Sequence, residues 1–245
     1  MKPVFEFPYH LTDLQGVIEG WTHSGDRVTL TTYTGQDVLD LSQLDSGDFP
    51  LRIDWDWGND LLGLRWTRAR AGGGSLDVRV NASRYGTALS FPDFNDTNFR
   101  SAINHTQLRV DLDTRPEPTL RLKVGAALER MAYDNLVETG GTEFASGNGT
   151  GLLVGSYAQA SWSRSREWLV EVGLRLDTWS PDPGDAVAEL APRLAAKRFF
   201  HNGDMALKVA AGRYTQFLHS LRDEDLPLGL DVWILAGERA PHVVS

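Results

Sequence analysis

A side-chain alternation with a period of two residues is the feature that most constrains how this 245-residue chain can fold. From Leu120 to Glu129 the even-numbered positions are apolar, whereas the odd-numbered positions are charged or small. Related alternation recurs along 108–113 and 168–177. A β-strand directs successive side chains to opposite faces, so each segment would have one apolar face and one charged face. The sequence therefore predicts an all-β protein whose apolar face meets either a second sheet or lipid.

Polar clusters rich in Gly, Pro, Asn and Asp divide the chain at regular intervals. Short clusters suited to hairpins lie at 24–26, 71–75, 115–118, 163–167 and 201–204. Longer irregular pieces lie at 39–56, 89–100, 138–149, 180–189 and from 218 to the end. Ten strands are predicted, at 13–23, 27–37, 57–69, 75–88, 102–114, 119–135, 151–163, 167–179, 190–200 and 204–217. Residues 51–57 also alternate, and either extend the third strand or form an extra one.

The alternation of short turns with long loops is typical of an outer-membrane β-barrel, in which the two kinds of connection lie at opposite ends. Aromatic residues near both strand ends suggest two interfacial girdles. The predicted turn-side girdle contains Trp21, Trp66, Trp162, Trp168, Phe199 and Phe200. The predicted loop-side girdle contains Trp57, Tyr85, Tyr133, Trp179 and Tyr214.

The charges on the odd-numbered face argue against a dry core on that side. Unpaired residues such as Arg109, Asp111 and Arg175 would each cost several kcal/mol if buried without partners. Because both signs occur, neighbouring strands can pair them around a hydrated lumen. The predicted fold is thus an antiparallel up-and-down meander of about ten strands, forming part of an outer-membrane β-barrel with its apolar face towards lipid.

Composition excludes several other classes of protein. The net charge is −9 at pH 7, which disfavours a nucleic-acid partner. The chain contains no cysteine, so disulfides, thiolate metal sites and thiol nucleophiles are excluded. No run approaches the roughly 18 apolar residues of a membrane helix, and residues 1–8 do not read as a signal peptide.

Several segments resemble the barrel of a TonB-dependent receptor, an energised transporter of the Gram-negative outer membrane. Trp57-Gly58-Asn59 is similar to a strand entry in that family, and Ser83-Arg84-Tyr85 to the end of the next strand. The most specific resemblance is the succession 172–179, 191–195 and 211–216, which reads VGLRLDTW, APRLA and AGRYTQ.

This resemblance implies energised uptake of a scarce ligand, of siderophore, cobalamin or glycan type. It implies three partners: outer-membrane lipid, a small extracellular ligand, and the TonB energy-coupling complex acting through a plug domain. The family's barrel has about 22 strands, whereas this sequence predicts ten and shows no plug or coupling box. Residues 1–245 are therefore expected to be a partial barrel domain that does not transport alone and needs no cofactor.

The last predicted loop contains the most side chains that could contact a ligand, bind a metal or act in catalysis. Its ligand-facing candidates are Gln216, His219, Arg222, Asp223 and Trp233. The spacing of its histidines and carboxylates fits no defined metal pattern, so no metal site is predicted. No catalytic residue is predicted either, and the chain is expected not to be an enzyme.

Two alternatives stay open at this level. One is a small ten-stranded outer-membrane barrel with omptin-like protease activity, using His219 with Asp223 or Asp225. The other is a soluble carbohydrate-binding β protein, in which Trp55, Trp57 and Trp233 stack against sugars.

Overall fold

The computed structural model describes residues 8–41, 52–165, 167–201, 204–221, 232–237 and 241–245. Ten long strands follow one another through these ranges, in the order predicted. They are β1 Tyr9–Trp21, β2 Arg27–Asp40, β3 Asp54–Arg70, β4 Gly74–Phe91, β5 Thr97–Glu117, β6 Leu120–Thr139, β7 Thr142–Ser165, β8 Trp168–Asp182, β9 Val187–Phe200 and β10 Met205–Gly212. Within the same ranges, no helix is both long enough and apolar enough to cross a membrane.

The ten strands form a single antiparallel sheet in which each strand pairs with the next along the chain. This topology confirms the predicted up-and-down meander. β1 and β10 are not hydrogen-bonded to each other, so within the described residues the sheet is open and has two free edges. It is consistent with a segment of a larger barrel.

Four short strands follow the sheet. β11 Thr215–Gln216 pairs with β14 Val243–Val244, and β12 Leu218–Leu221 pairs with β13 Val232–Leu235. The tenth long strand was predicted to continue to residue 217, but it ends at Gly212. Residues 213–221, 232–237 and 241–245 are called the C-terminal segment below.

The connections lie at two ends of the sheet. Among the described connecting residues, 22–26, 71–73, 118–119, 167, 201 and 204 lie at the turn end, and 41, 52–53, 92–96, 140–141 and 183–186 lie at the rim end. Three of the predicted long loops are shorter than predicted, because β4–β9 continue into them. The clearest case is 138–149, where β6 and β7 meet in a two-residue turn at Gly140-Gly141. Residues from Asp54 onward extend the third strand, which was one of the two options.

The sheet has two chemically different faces. Strands β2–β9 keep one parity across their registers, so their even-numbered residues share one face and their odd-numbered residues share the other. The C-terminal segment lies on the odd-numbered side, where Asn135 Nδ2 donates to the Trp233 carbonyl and Trp179 Nε1 donates to the Ala236 carbonyl. We call the odd-numbered side the covered face and the even-numbered side the open face.

Candidate functional site: the two faces of the sheet

An apolar belt runs across the open face. One of its rows joins seven strands through direct cross-strand partners, namely Ile18, Leu30, Leu64, Val80, Leu108, Leu128 and Val154. All seven side chains are exposed. Val124, Val172 and Leu174, in neighbouring rows, are 44%, 49% and 48% exposed. The apolar face is therefore not sealed into a dry core.

The belt has a defined height. On β7 it extends from Leu152 to Trp162, which is about 34 Å along the strand at roughly 3.4 Å per residue. At a strand tilt of about 45°, the belt would be about 24 Å tall.

Aromatic and cationic side chains border the belt at the turn end. Arg68 lies over the ring of Trp66, and Arg198 lies over the rings of Trp168 and Phe200, at 4.8–5.1 Å. Trp162 belongs to the same border. The predicted turn-side girdle is confirmed for these four aromatic residues, whereas Trp21 and Phe199 have the opposite parity.

The predicted loop-side girdle is wrong for Trp57, Tyr85, Tyr133 and Trp179, which are odd-numbered and lie on the covered face. Tyr85 packs edge-on against Trp233, with ring centroids 5.9 Å apart. Trp179 is 1% exposed and stacks on Phe217. Tyr214 lies beyond β10 and packs under Arg193. Position along a strand suggested a girdle, but strand parity turns these rings away from the open face.

Ion pairs fill the covered face towards the turn end. Arg65 and Arg79 each donate from Nε to Asp77 at 2.5 Å, and Thr67 donates to the same carboxylate at 2.8 Å. Asp77 is only 4% exposed. Its charge therefore has three donors in place of water.

The same arrangement continues across the next strands. Arg109 donates from Nε to Asp111 at 2.8 Å, and the Tyr157 hydroxyl donates to Asp111 at 2.7 Å. Arg175 donates from Nε to Asp177 at 2.7 Å. We call these side chains the ionic lattice: Arg65, Asp77, Arg79, Arg109, Asp111, Tyr157, Arg175 and Asp177. Sequence reasoning placed charges such as Arg109 and Arg175 in a lumen but missed that, across β3–β5, the guanidiniums and the carboxylates form separate adjacent rows.

The covered face becomes apolar towards the rim end. Leu153 and Trp179 form a core there with Phe217, Leu235 and Ala236 of the C-terminal segment. A second core joins Leu41, Ile53 and Leu89. The open face changes in the opposite sense at this level, because its residues there are mainly polar. The segregation of apolar and polar residues is thus reversed between the two ends of the sheet.

Ion pairs to carboxylates in the connections hold both ends of the sheet in place. Arg68 donates two hydrogen bonds to Asp26 in the β1–β2 turn, and this contact lowers the pKa of the Asp26 carboxyl. At the rim end, Arg52 pairs with Asp93 through its guanidinium and its backbone N–H, which lowers the pKa of Asp93.

The sequence-predicted site residues are not gathered into a single site. Gln216 is in β11 and donates to the Leu218 carbonyl at 2.6 Å, so this contact is local. His219 and Trp233 lie on the paired strands β12 and β13, and their Nε2 and Nε1 atoms are buried with no hydrogen-bond partner among the residues that the structure describes. Arg222 and Asp223, as well as Asp225 of the protease alternative, lie outside the described residues.

The three tryptophans of the carbohydrate-binding alternative already contact other rings. Trp55 and Trp57 lie 4.5 Å apart between ring centroids, and Trp233 packs on Tyr85. Among the residues that the structure describes, no three His, Asp or Glu side chains are placed to hold a metal ion.

No protein-family model matches the sequence, and no curated protein matches it. Solved structures do share its fold. The copper transporter OprC superposes with a TM-score of 0.63 at 13% identity, covering 86% of this chain and 38% of that protein. The ferripyoverdine receptor of the outer membrane of Pseudomonas aeruginosa, bound to ferripyoverdine, gives 0.52 at 12% identity, covering 89% and 43%. FpvAI in complex with pyocin S2 gives 0.52 at 11% identity, covering 86% and 39%.

These neighbours are TonB-dependent receptors, and the likeness is one of fold. The chain spans about two-fifths of the length of each of them. The sheet described above thus has the same fold as a part of each of these proteins.

Proposed function

We propose that this chain is part of the barrel of a TonB-dependent outer-membrane receptor, which takes up a scarce extracellular ligand. The observation that carries the proposal is the segregation of the two faces. An exposed apolar belt about 24 Å tall matches the roughly 25 Å band of membrane barrels, and a paired ionic lattice lies directly behind it.

The energetics of the two faces favour a membrane over water. Seven consecutive cross-strand partners with exposed apolar side chains form a much larger continuous patch than soluble proteins usually tolerate. The same patch is stable when acyl chains cover it. Strands that span a membrane must pair on both edges, so the free edges of β1 and β10 would pair with further strands of the complete barrel.

The ligand class belongs to this proposal as well. One structural neighbour is named for copper and another for ferripyoverdine, so a metal or metal chelate is the class we favour among scarce ligands. Transport would need a plug domain and the TonB complex, with the protein placed in the Gram-negative outer membrane. The chain would act by binding and passage rather than as an enzyme.

The test is uptake by cells that lack the gene encoding the full-length protein. Accumulation of radiolabelled copper, a ferric siderophore and cobalamin is measured separately, with and without a functional TonB complex. We expect one of the three to fall to the same extent after loss of the receptor and after loss of TonB. Unchanged uptake of all three after deletion of the receptor would contradict the ligand assignment, whereas uptake that depends on the receptor but not on TonB would contradict the mechanism.

A further inference from the structure

The open face carries a polar trough on the rim side of the apolar belt, with a volume of about 460 Å³. Its floor is a row of small residues on three adjacent strands, because Gly58 is the partner of Gly86 and Gly86 is the partner of Ala102. Gln36 and Asp134 stand at the two ends of this row. The floor is therefore nearly bare backbone, which leaves room for a sugar ring to lie against it.

Charged side chains form the two long walls. On the belt side, Asp60 and Arg84 are direct partners. On the rim side are Asp56 and Arg100, separated by Ala88 in the same row. Both signs are thus presented on each wall, and the Arg100 guanidinium also pairs with the Glu138 carboxylate at 3.8 Å.

The carboxylates of the walls are oriented by neighbours. Thr34 donates to Asp60 at 2.7 Å, and Gln36 donates to Asp56 at 2.5 Å. Each carboxylate keeps acceptor capacity for hydroxyl groups of a ligand. Within the described parts of the chain, Arg84 has neither a hydrogen bond nor an ion pair, so its guanidinium is available for a bidentate contact with phosphate.

The trough continues directly from the belt. Leu62, which is 54% exposed, is two residues from Asp60 on the same strand, or about 7 Å. A molecule with acyl chains on the belt would place its headgroup in the trough. The residues that line the trough include no aromatic ring, so a free sugar would have no stacking surface and affinity would depend on the attached chains.

We propose that this trough binds the phosphorylated saccharide headgroup of a glycolipid in the surrounding leaflet. Arg84 would bind the phosphate, Asp56 and Asp60 would accept hydrogen bonds from sugar hydroxyls, and the glycine floor would admit the ring. The inference rests on the proposed membrane setting, and it adds a lipid-binding site distinct from the covered face.

The test uses a variant that fills the trough without strain. A Cβ at Gly86 would meet no atom within 4 Å, and its backbone is not in the left-handed region, so Gly86→Val is expected to fold. Gly20→Val is the matched control, because Gly20 is also a strand glycine with open space but does not line the trough. Arg84→Ala removes the phosphate contact alone.

Binding is measured by native mass spectrometry of the full-length protein in a non-ionic detergent. The probes are a phosphorylated disaccharide glycolipid, its dephosphorylated form and its deacylated headgroup. We expect Gly86→Val and Arg84→Ala to weaken binding of the phosphorylated glycolipid roughly 10-fold or more, and Gly20→Val to leave it unchanged. We also expect Arg84→Ala to bind the dephosphorylated lipid like the wild type, and the deacylated headgroup to bind weakly.

Wild-type affinity in Gly86→Val, or an equal loss in Gly20→Val, would overturn the trough assignment. Strong binding of the deacylated headgroup would instead indicate a soluble saccharide ligand and would also overturn it. Reaction of Leu108→Cys in whole cells with a water-soluble maleimide separates the two proposals. If Leu108→Cys is shielded while the glycolipid fails to bind, only the trough proposal is wrong; if it reacts freely, the membrane setting is wrong.

Discussion

On the covered face, one carboxylate can hold two arginine side chains in place, and Asp77 is the clearest case. Three arginines, Arg65, Arg79 and Arg109, are direct neighbours across β3–β5. Like charges in facing positions repel one another. The adjacent row places Asp77 beside Asp111, so the two rows neutralise each other. This arrangement allows charged residues to line a face without an isolated buried charge.

Asp77→Asn should destabilise the sheet because Arg65 and Arg79 lose their shared counter-ion. Hydrogen bonds to charged groups contribute about 1.5–3 kcal/mol each when well formed, and both arginines are partly exposed, so a loss of about 1–3 kcal/mol is expected. Unfolding of the full-length protein in detergent measures it, with Asp185→Asn in an exposed connection as control. Adding Arg79→Gln to Asp77→Asn should recover part of the loss, and no recovery would contradict the counter-ion role.

Asp26 gives a pH-dependent contact at the turn end. Its pKa is lowered mainly by the hydrogen bonds from Arg68, so the folded state favours the ionised carboxyl. The stabilisation is complete above the ordinary carboxyl pKa of about 3.9 and is lost as the pH falls through the lowered pKa. The stability difference between wild type and Asp26→Asn should therefore shrink between pH 5 and strongly acidic pH. A difference that stays constant would show that Asp26 acts through its shape alone.

At the scale of elements, the C-terminal segment is held on the covered face through Trp179. The indole is buried, stacks on Phe217 with centroids 5.4 Å apart, and donates to the Ala236 carbonyl at 2.8 Å. Gly151 makes room for it, since a Cβ at that position would collide with the indole ring. The segment is therefore fastened by packing and by one specific hydrogen bond.

Trp179→Ala should release the C-terminal segment while the sheet remains folded. Truncation of a buried aromatic side chain typically costs about 3–5 kcal/mol, and most of its partners here belong to the segment. Trypsin cleavage after Arg213 should accelerate roughly 10-fold or more. Trp162→Ala is the control, because Trp162 is 44% exposed on the open face. Equal acceleration in both variants would contradict the assignment.

The sequence allowed the ten strands and their order to be predicted because a period of two is a local signal. It misled at the rim end for a physical reason. Where the residues of a hairpin are mostly polar or small on both faces, as in 142–148 apart from Phe144, a strand has the composition of a loop. The docking of Phe217 on Trp179 joins residues far apart in sequence, and no local pattern encodes it. His219 and Trp233 were singled out for their chemistry, but their burial depends on that docking.

For the molecule as a whole, the proposed function depends on which solvent meets each face of the sheet. In water, an apolar belt on an open sheet with two free edges would promote aggregation. In a bilayer, acyl chains would cover the same belt, and the edges would pair within a closed barrel.

The absence of cysteine from these 245 residues makes the most direct test simple. Single cysteines replace Leu108, Leu128 and Val154 on the belt, and the partly exposed Gln107 and Gln159 on the covered face, in the full-length protein in native membranes. Each variant is labelled with a membrane-impermeant maleimide before and after detergent treatment. We expect the belt positions to react only after detergent treatment. The covered-face positions should react both before and after it. Rapid reaction of all three belt cysteines in intact membranes would contradict the assignment of the open face to lipid.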